Sequence, residues 1–400
     1  MKVKTLVFST LIVLSCALSA SNCKAKNPIY CYPDKCSPCS HCLGPFNELS
    51  NAPLYPLNCE GDFVLTASAF YWTATEDGNA LVIDNAVAVP IINPTPDEID
   101  ELNVLIDDDF ISPATRWDFG YKLGIAYNTT CDGWDIGILW TTFHSTSFKN
   151  LEVDFDDNHT LVTLLSSYAP IQGEVDFARQ IKARLELNLN LIDLELGRFF
   201  WISRKLNLRP FIGIRGGKIG QNFKVEHFGG SWSPRVNPDQ DPLDNEIKIR
   251  TVFQGGGIRS GFNTIWNINC GISIYGYGAF SLLYGSFNVA HDEKNRLAIS
   301  PYSKTHLMDT TSHFDASRAI VDLEMGIQWA THFCECKYAL ALKLGWEHHL
   351  FLNQNQLFSV MRLGNVSTST SINNTGQNLF SKRSGCIGTQ GLTLTITGSF

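Results

Sequence analysis

Beyond residue 20 the chain has no stretch approaching the roughly 18 consecutive apolar residues of a membrane-crossing helix, so no such helix is expected. Charge is scarce: Asp, Glu, Lys and Arg make up 18% of residues, below the roughly 25% usual in soluble domains. A basic excess is missing too, the formal net charge being −8, and with it any electrostatic footprint for nucleic acid. Neither a G-x-S-x-G serine elbow nor an H-E-x-x-H helix occurs, which removes two common marks of a hydrolase. No Pro/Ser-rich linker divides the chain, so one unit is expected where length alone would suggest two or three domains.

What is present begins at the N-terminus. Lys2 and Lys4 precede an apolar run over 6–18, and Ser19, Ala20 and Ser21 follow, the layout of a secretory signal peptide cleaved after Ala20 or, as second choice, Ala25. At the other end the chain alternates strictly. Leu392, Leu394, Ile396 and Phe400 share one strand face and Thr393, Thr395, Thr397 and Ser399 the other, so one face suits lipid and the other water. An alternating strand that stops on an aromatic resembles the terminal signal by which outer-membrane barrels are taken up by the barrel-assembly machinery.

The same period recurs along the chain. Trp117, Phe119, Tyr121, Leu123, Ile125 and Tyr127 alternate with Asp118, Gly120, Lys122, Gly124 and Ala126. Trp117 and Tyr127 are roughly 33 Å apart along such a strand, which a tilt of about 40° reduces to about 25 Å, the height of an outer-membrane apolar band between its aromatic girdles. Trp134, Ile136, Ile138 and Trp140 return the chain as a hairpin. Further segments put Ile181, Ala183, Leu185, Leu187 and Leu189 against Lys182, Arg184 and Glu186; Leu206, Leu208, Ile212 and Ile214 against Arg209 and Arg215; Leu323, Met325 and Ile327 against Asp322 and Glu324; and Leu340, Leu342 and Leu344 against Lys343 and Glu347.

With 62–76, 250–266, 270–289 and 386–400 added, the expectation is an all-β, antiparallel transmembrane barrel of about ten strands, twelve to sixteen staying open if the long segments hide more. Short turns near 128–133, 202–205, 267–270 and 331–337 alternate with long segments near 77–114, 145–178, 219–248, 290–316 and 349–385. That places short turns and both termini in the periplasm and long loops outside. The expected organisation is a signal peptide over 1–20, a cysteine-rich periplasmic segment over 21–60 and the barrel over 61–400. Acidic clusters at 97–109, 152–157 and 239–246 read as solvated loops.

Several residue groups carry a family pattern: Phe70, Tyr71, Trp72 leading to Glu76, Asp77, Gly78; Trp117, Gly120, Tyr127 and Asp132, Gly133, Trp134, Asp135; Gly257, Arg259, Gly261 and Trp266; Tyr275 with Leu282 to Gly285; and Glu347 before Asn353, Gln354, Asn355, Gln356. They resemble the major outer membrane protein family of Legionella- and chlamydia-like bacteria. The resemblance covers 62–400 and implies an abundant, surface-exposed, porin-like barrel in the bacterial outer membrane.

Residues 21–60 lie outside it, and there the cysteines crowd: Cys23, Cys31, Cys36, Cys39, Cys42 and Cys59. Their C-x-x-C spacings would suit zinc in a cytosolic chain, but export to an oxidising compartment favours disulfides, within the chain or to itself and other cysteine-rich envelope proteins. No metal or cofactor is expected. Pore-lining candidates are Asp118, Lys122, Arg184, Glu186, Arg209, Arg215, Arg259, Glu324, Lys343 and Glu347. Ten strands would favour slow or selective passage over a wide pore. The alternatives are a structural or adhesive scaffold without an open lumen and, less favoured, a hydrolase using His144, Glu347, His348 and His349 at strand tips. The expected lipid partner is the outer membrane itself.

Overall fold

A strand with one apolar face can cross lipid only if its backbone groups are all paired, which requires the sheet to close on itself. The computed structural model describes residues 53–54, 61–85, 110–130, 132–153, 160–167, 177–203, 205–229, 243–269, 271–297, 300–333, 337–363 and 377–400. Its strands are β1 (Asp62–Glu76), β2 (Val82–Asn85), β3 (Phe110–Ile111), β4 (Trp117–Asn128), β5 (Trp134–Glu152), β6 (Thr160–Thr163), β7 (Phe177–Ala178) and β8 (Gln180–Arg198). They continue as β9 (Phe200–Trp201), β10 (Leu206–Phe228), β11 (Leu243–Asn269), β12 (Ile272–Leu297), β13 (Lys304–Phe333), β14 (Tyr338–Leu363) and β15 (Gln377–Ser399).

Ten of them form a closed antiparallel ring in the order β1-β4-β5-β8-β10-β11-β12-β13-β14-β15, with β15 back against β1. The seam between β1 and β15 is tight: Phe63 N donates to Phe400 O at 2.8 Å and Phe400 N to Phe63 O at 3.0 Å. The ring agrees with the expected count of ten. The long segments 219–248, 290–316 and 349–385, expected as loops, are largely strand, because the wall continues well past the lipid. Residues 145–152 prolong wall strand β5, and among the described residues the rest of 77–114 and 145–178 supplies β2, β3, β6 and β7, a separate four-stranded sheet.

Outward-facing Phe119, Leu123, Ile125, Ile138, Leu194, Ile214, Ile258, Leu323 and Leu394 form the lipid belt. Aromatics rim it: Tyr71, Trp117 and Trp346 on one side, with Tyr71 and Trp117 rings 5.4 Å apart, and Phe63, Tyr127, Trp134, Trp266, Trp329 and Phe400 on the other.

Above the outer rim the wall reverses polarity. In β8, Leu194 and Ile192 face outward beside inward Glu195 and Asp193; six residues further, Leu187, Leu185 and Ala183 face inward and are buried while Arg184 stands outside, 52% exposed. The alternation never slips, and only the chemistry of the two faces exchanges. Where the outside is apolar the inside is charged and polar; where the outside is polar the inside is an apolar core. The reversal is written as adjacent apolar pairs, Leu191–Ile192 in β8, Leu282–Leu283 in β12 and Ile320–Val321 in β13.

The dry part is one continuous cluster. Leu81, Val82, Leu161, Leu165 and Ala178 of the small sheet and its flanks join Leu185, Val225, Ile247 and Phe287 of the wall, so the inserted sheet packs into the barrel mouth. Beneath, Phe70 stacks on Trp72 at 3.6 Å with Phe143 beside them. Gly120 makes room for that stack, since a Cβ there would run into the Phe70 ring.

Candidate functional site

Inward positions of seven strands converge below the aromatic layer into a charged network. Arg209 on β10 donates to both oxygens of Asp135 on β5, at 2.5 and 2.8 Å, and to Glu195 on β8 at 3.2 Å. Arg215, also on β10, forks onto Asp193 at 2.6 and 2.7 Å and reaches Asp322 on β13 at 2.9 Å. Arg259 on β11 donates to Asp322 at 2.5 Å, to Glu195 at 3.2 Å and to the hydroxyls of Ser281 and Tyr277.

A second group lies opposite. Lys122 on β4 donates to both Glu347 oxygens on β14, at 2.6 and 2.8 Å. His349 sits between Asp322 and Glu347, its Nδ1 2.7 Å from one and its Nε2 3.1 Å from the other, and the Trp72 ring lies 4.7 Å above it. The Tyr275 hydroxyl donates to Glu324 at 2.6 Å, and Lys343 stands 5.3 Å over the Tyr275 ring.

Arg215–Asp322 and Lys122–Glu347 join strands that are not neighbours in the ring, so they tie the lumen across rather than along its wall. Bidentate, charge-assisted pairs of this kind are the strong ones, and each participant has its donors or acceptors engaged. A cavity of about 240 Å³ remains among them, bordered by Thr66, Ser68, Lys122, Glu324 and Lys343.

Of the ten pore-lining candidates, Asp118, Lys122, Arg209, Arg215, Arg259, Glu324, Lys343 and Glu347 are on the inner face, and all but Asp118 border this network. Asp118 instead accepts from Ser145 and from the Thr146 amide. Arg184 and Glu186 are not inside: they pair with each other at 2.6 Å on the outer surface, as does Lys182 lie outside, because this stretch of β8 is above the polarity reversal. Asp193 and Glu195, central to the network, escape the sequence reading; the Leu191–Ile192 pair just before them is the signal that marks the change of face. His144 faces outward against Asn188 at 2.7 Å and does not meet His349, so the strand-tip histidines form no joint site.

Leu392, Leu394 and Ile396 face the lipid belt and Phe400 packs near Phe63, the rings 6.4 Å apart. Of twelve cysteines only Cys386 is described, as a free thiol; Cys23, Cys31, Cys36, Cys39, Cys42 and Cys59 lie outside the described residues. Among the described residues no group of His, Cys, Asp and Glu is arranged to hold a metal ion.

A closed ring of antiparallel strands, lipid-facing outside, rimmed by aromatics and charged within, defines a bacterial outer-membrane β-barrel. The match of residues 56–393 to the family of the Legionella pneumophila major outer membrane protein precursor goes further: the chain belongs to that family. No curated protein matches the sequence.

Among solved structures it is similar to the outer membrane protease OmpT from Escherichia coli (12% identity, 88% of this chain and 98% of that one, TM-score 0.35). It is also similar to a Pseudomonas aeruginosa FadL homologue (8%, 85% and 90%, TM-score 0.23) and to the P. putida toluene transporter TodX (6%, 87% and 92%, TM-score 0.20). At such scores none of the three bears on function.

Proposed function

We propose that the protein is a surface-exposed barrel, closed at rest, that passes small hydrophilic solutes slowly and selectively rather than as a wide diffusion pore. The observation that carries this reading is the pair of cross-lumen ties, Arg215–Asp322 and Lys122–Glu347, lying beneath a continuous apolar core. An ion would have to displace the first and shed its water in the second. The cavity among the ties, bordered by charged side chains, favours passage over a solid plug. A structural or adhesive scaffold is the second reading, and it shares the same wall.

Purified protein in planar bilayers should show small, infrequent conductance steps. A large steady conductance would overturn closure at rest; none under reducing and non-reducing conditions alike would favour the scaffold. Catalysis is not part of this reading, since both ring nitrogens of His349 are engaged by carboxylates and, among the described residues, no hydroxyl nucleophile is bonded to it.

A periplasmic position for the cysteine-rich segment is supported by its exit point. Leu54 N donates to Phe199 O at 2.9 Å beside the short turn before β10. From there disulfides could tether the barrel to itself or to other cysteine-rich envelope proteins, after export by the signal peptide and insertion by the barrel-assembly machinery.

A further inference from the structure

The wall has a seam above the membrane. β13 and β14 pair from Phe333↔Tyr338 up to Ile320↔Phe351, and there the ladder stops although both strands continue. β13 keeps β12 on its other side as far as Lys304↔Arg296. Alternate residues from 304 to 319 therefore turn their N–H and C=O toward an edge that carries no strand among the described residues.

β14 has not ended there but turned. Asn353 takes a positive φ of 52°, and the pairing with β15 jumps from Phe351↔Ile387 to Asn355↔Gly385, a bulge that bends the strand. Past the bend β14 crosses the barrel mouth. Thr251 on β11 donates to Gln356 O at 3.1 Å, and His291 Nδ1 on β12 lies 3.2 Å from Phe358 O. Gln221 on β10 donates to Asn355 Oδ1 at 3.3 Å, while Asn355 Nδ2 donates to Asp77 O at 2.7 Å and to Asn79 Oδ1 at 2.5 Å. Gln354, Asn355 and Gln356 are all at most 3% exposed. Burying an amide is costly unless it is bonded, and the Asn355 amide is the one whose bonds reach other strands, to Gln221 on β10 and to Asp77 and Asn79 just past β1.

The abandoned pairing is still available. Carried on in the same register, it would set Arg318 against Asn353 and Met308 against Leu363, the last residue of β14, with β13 reaching on to Lys304. We infer that the upper halves of β14 and β15 form a hinged gate, latched across the mouth by Asn355 and able to swing about Asn353 until β14 zips onto the free edge of β13. The inference rests on the reading of the lumen as closed at rest and names what relieves the closure. The exchange is uneven: the latched position keeps the bonds across the mouth and leaves the β13 edge open, and the swung position gives up those bonds for ladder bonds along that edge.

Three variants test it. A β-branched residue cannot hold φ near 52° without strain, so Asn353→Val should disfavour the latched position, Asn355→Ala should remove its side-chain bonds, and Asn353→Gly should keep the bend. Hydrogen exchange resolved to single amides, on protein shown to be folded by its heat-modifiable migration, should find the edge-facing amides of 305–319 fast in the wild type. Asn353→Val and Asn355→Ala should slow them about tenfold or more and raise single-channel conductance severalfold, with Asn353→Gly like the wild type. Folded variants whose β13 amides exchange as in the wild type would overturn the hinge. Slowed amides without raised conductance would overturn gating, and a wild type that already conducts fully would instead overturn closure at rest.

Discussion

Asp322 is the carboxylate shared by three lumen cations or potential cations, facing Arg215, Arg259 and His349 at once. Asp322→Ala would leave two buried guanidinium groups facing each other without their shared carboxylate, and the loss should be about 3–5 kcal/mol, read from urea unfolding in detergent followed by tryptophan fluorescence. Glu76 behaves differently. It lies five residues beyond Tyr71, outside the lipid span, and burial pushes its carboxyl up to about 7, with Asn79 and Gln221 donating to it and only partly offsetting that burial. Because the folded value is above the unfolded one near 4.5, the protonated form favours the fold. Its stabilisation is full below about pH 4.5, declines as pH rises toward 7 and is gone above it. Glu76→Gln should therefore match the wild type near pH 5 and become relatively more resistant to heat and protease by pH 8; a difference independent of pH would show that Glu76 does not change protonation across that range.

At the scale of one strand, β8 carries the sharpest test because its two halves obey opposite rules. Leu194→Lys, in the lipid belt, should cost about 2–4 kcal/mol. Leu187→Lys should cost as much although it lies outside the membrane, since it puts a charge into the dry core, whereas Arg184→Leu on the wet outer surface should stay within about 0.5 kcal/mol. A Leu187→Lys variant as mild as Arg184→Leu would disprove the reversal. The same strand shows how far the sequence could be read. Period two in Trp117 to Tyr127, in Leu206 to Ile214 and in Leu392 to Phe400 sufficed for the barrel, its strand count and most inward charges, because in those segments the apolar face is the lipid face. Over 181–189 the alternation is equally clear but belongs to a strand standing in water, where the apolar face points inward, and periodicity alone cannot say which side is dry. The bend at Asn353 and the crossing of β14 had no periodic signature at all; only the unusual run of amides at 353–356 marked the place.

For the molecule as a whole, closure depends on the first and last ring strands, β1 and β15, meeting. Phe400 supplies both backbone bonds to Phe63 at the seam between β1 and β15, so its deletion should lower the yield of assembled barrel in the outer membrane far more than it lowers the unfolding midpoint of the fraction that does assemble. Normal yield without Phe400 would show that the terminal strand inserts on its remaining contacts. The height of the wall has a consequence of its own. β13 runs for 30 residues, about 100 Å of strand and about 75 Å along the barrel axis, against an apolar band of about 25 Å. An antibody or phage approaching the cell thus meets a long β-surface rather than loop tips alone. On that surface every second residue is committed to the core behind it, so antigenic drift in the wall is confined to alternate positions, a striped epitope in which Arg184, Lys218 and Arg250 are free to change while Leu185, Ile219 and Ile249 are not.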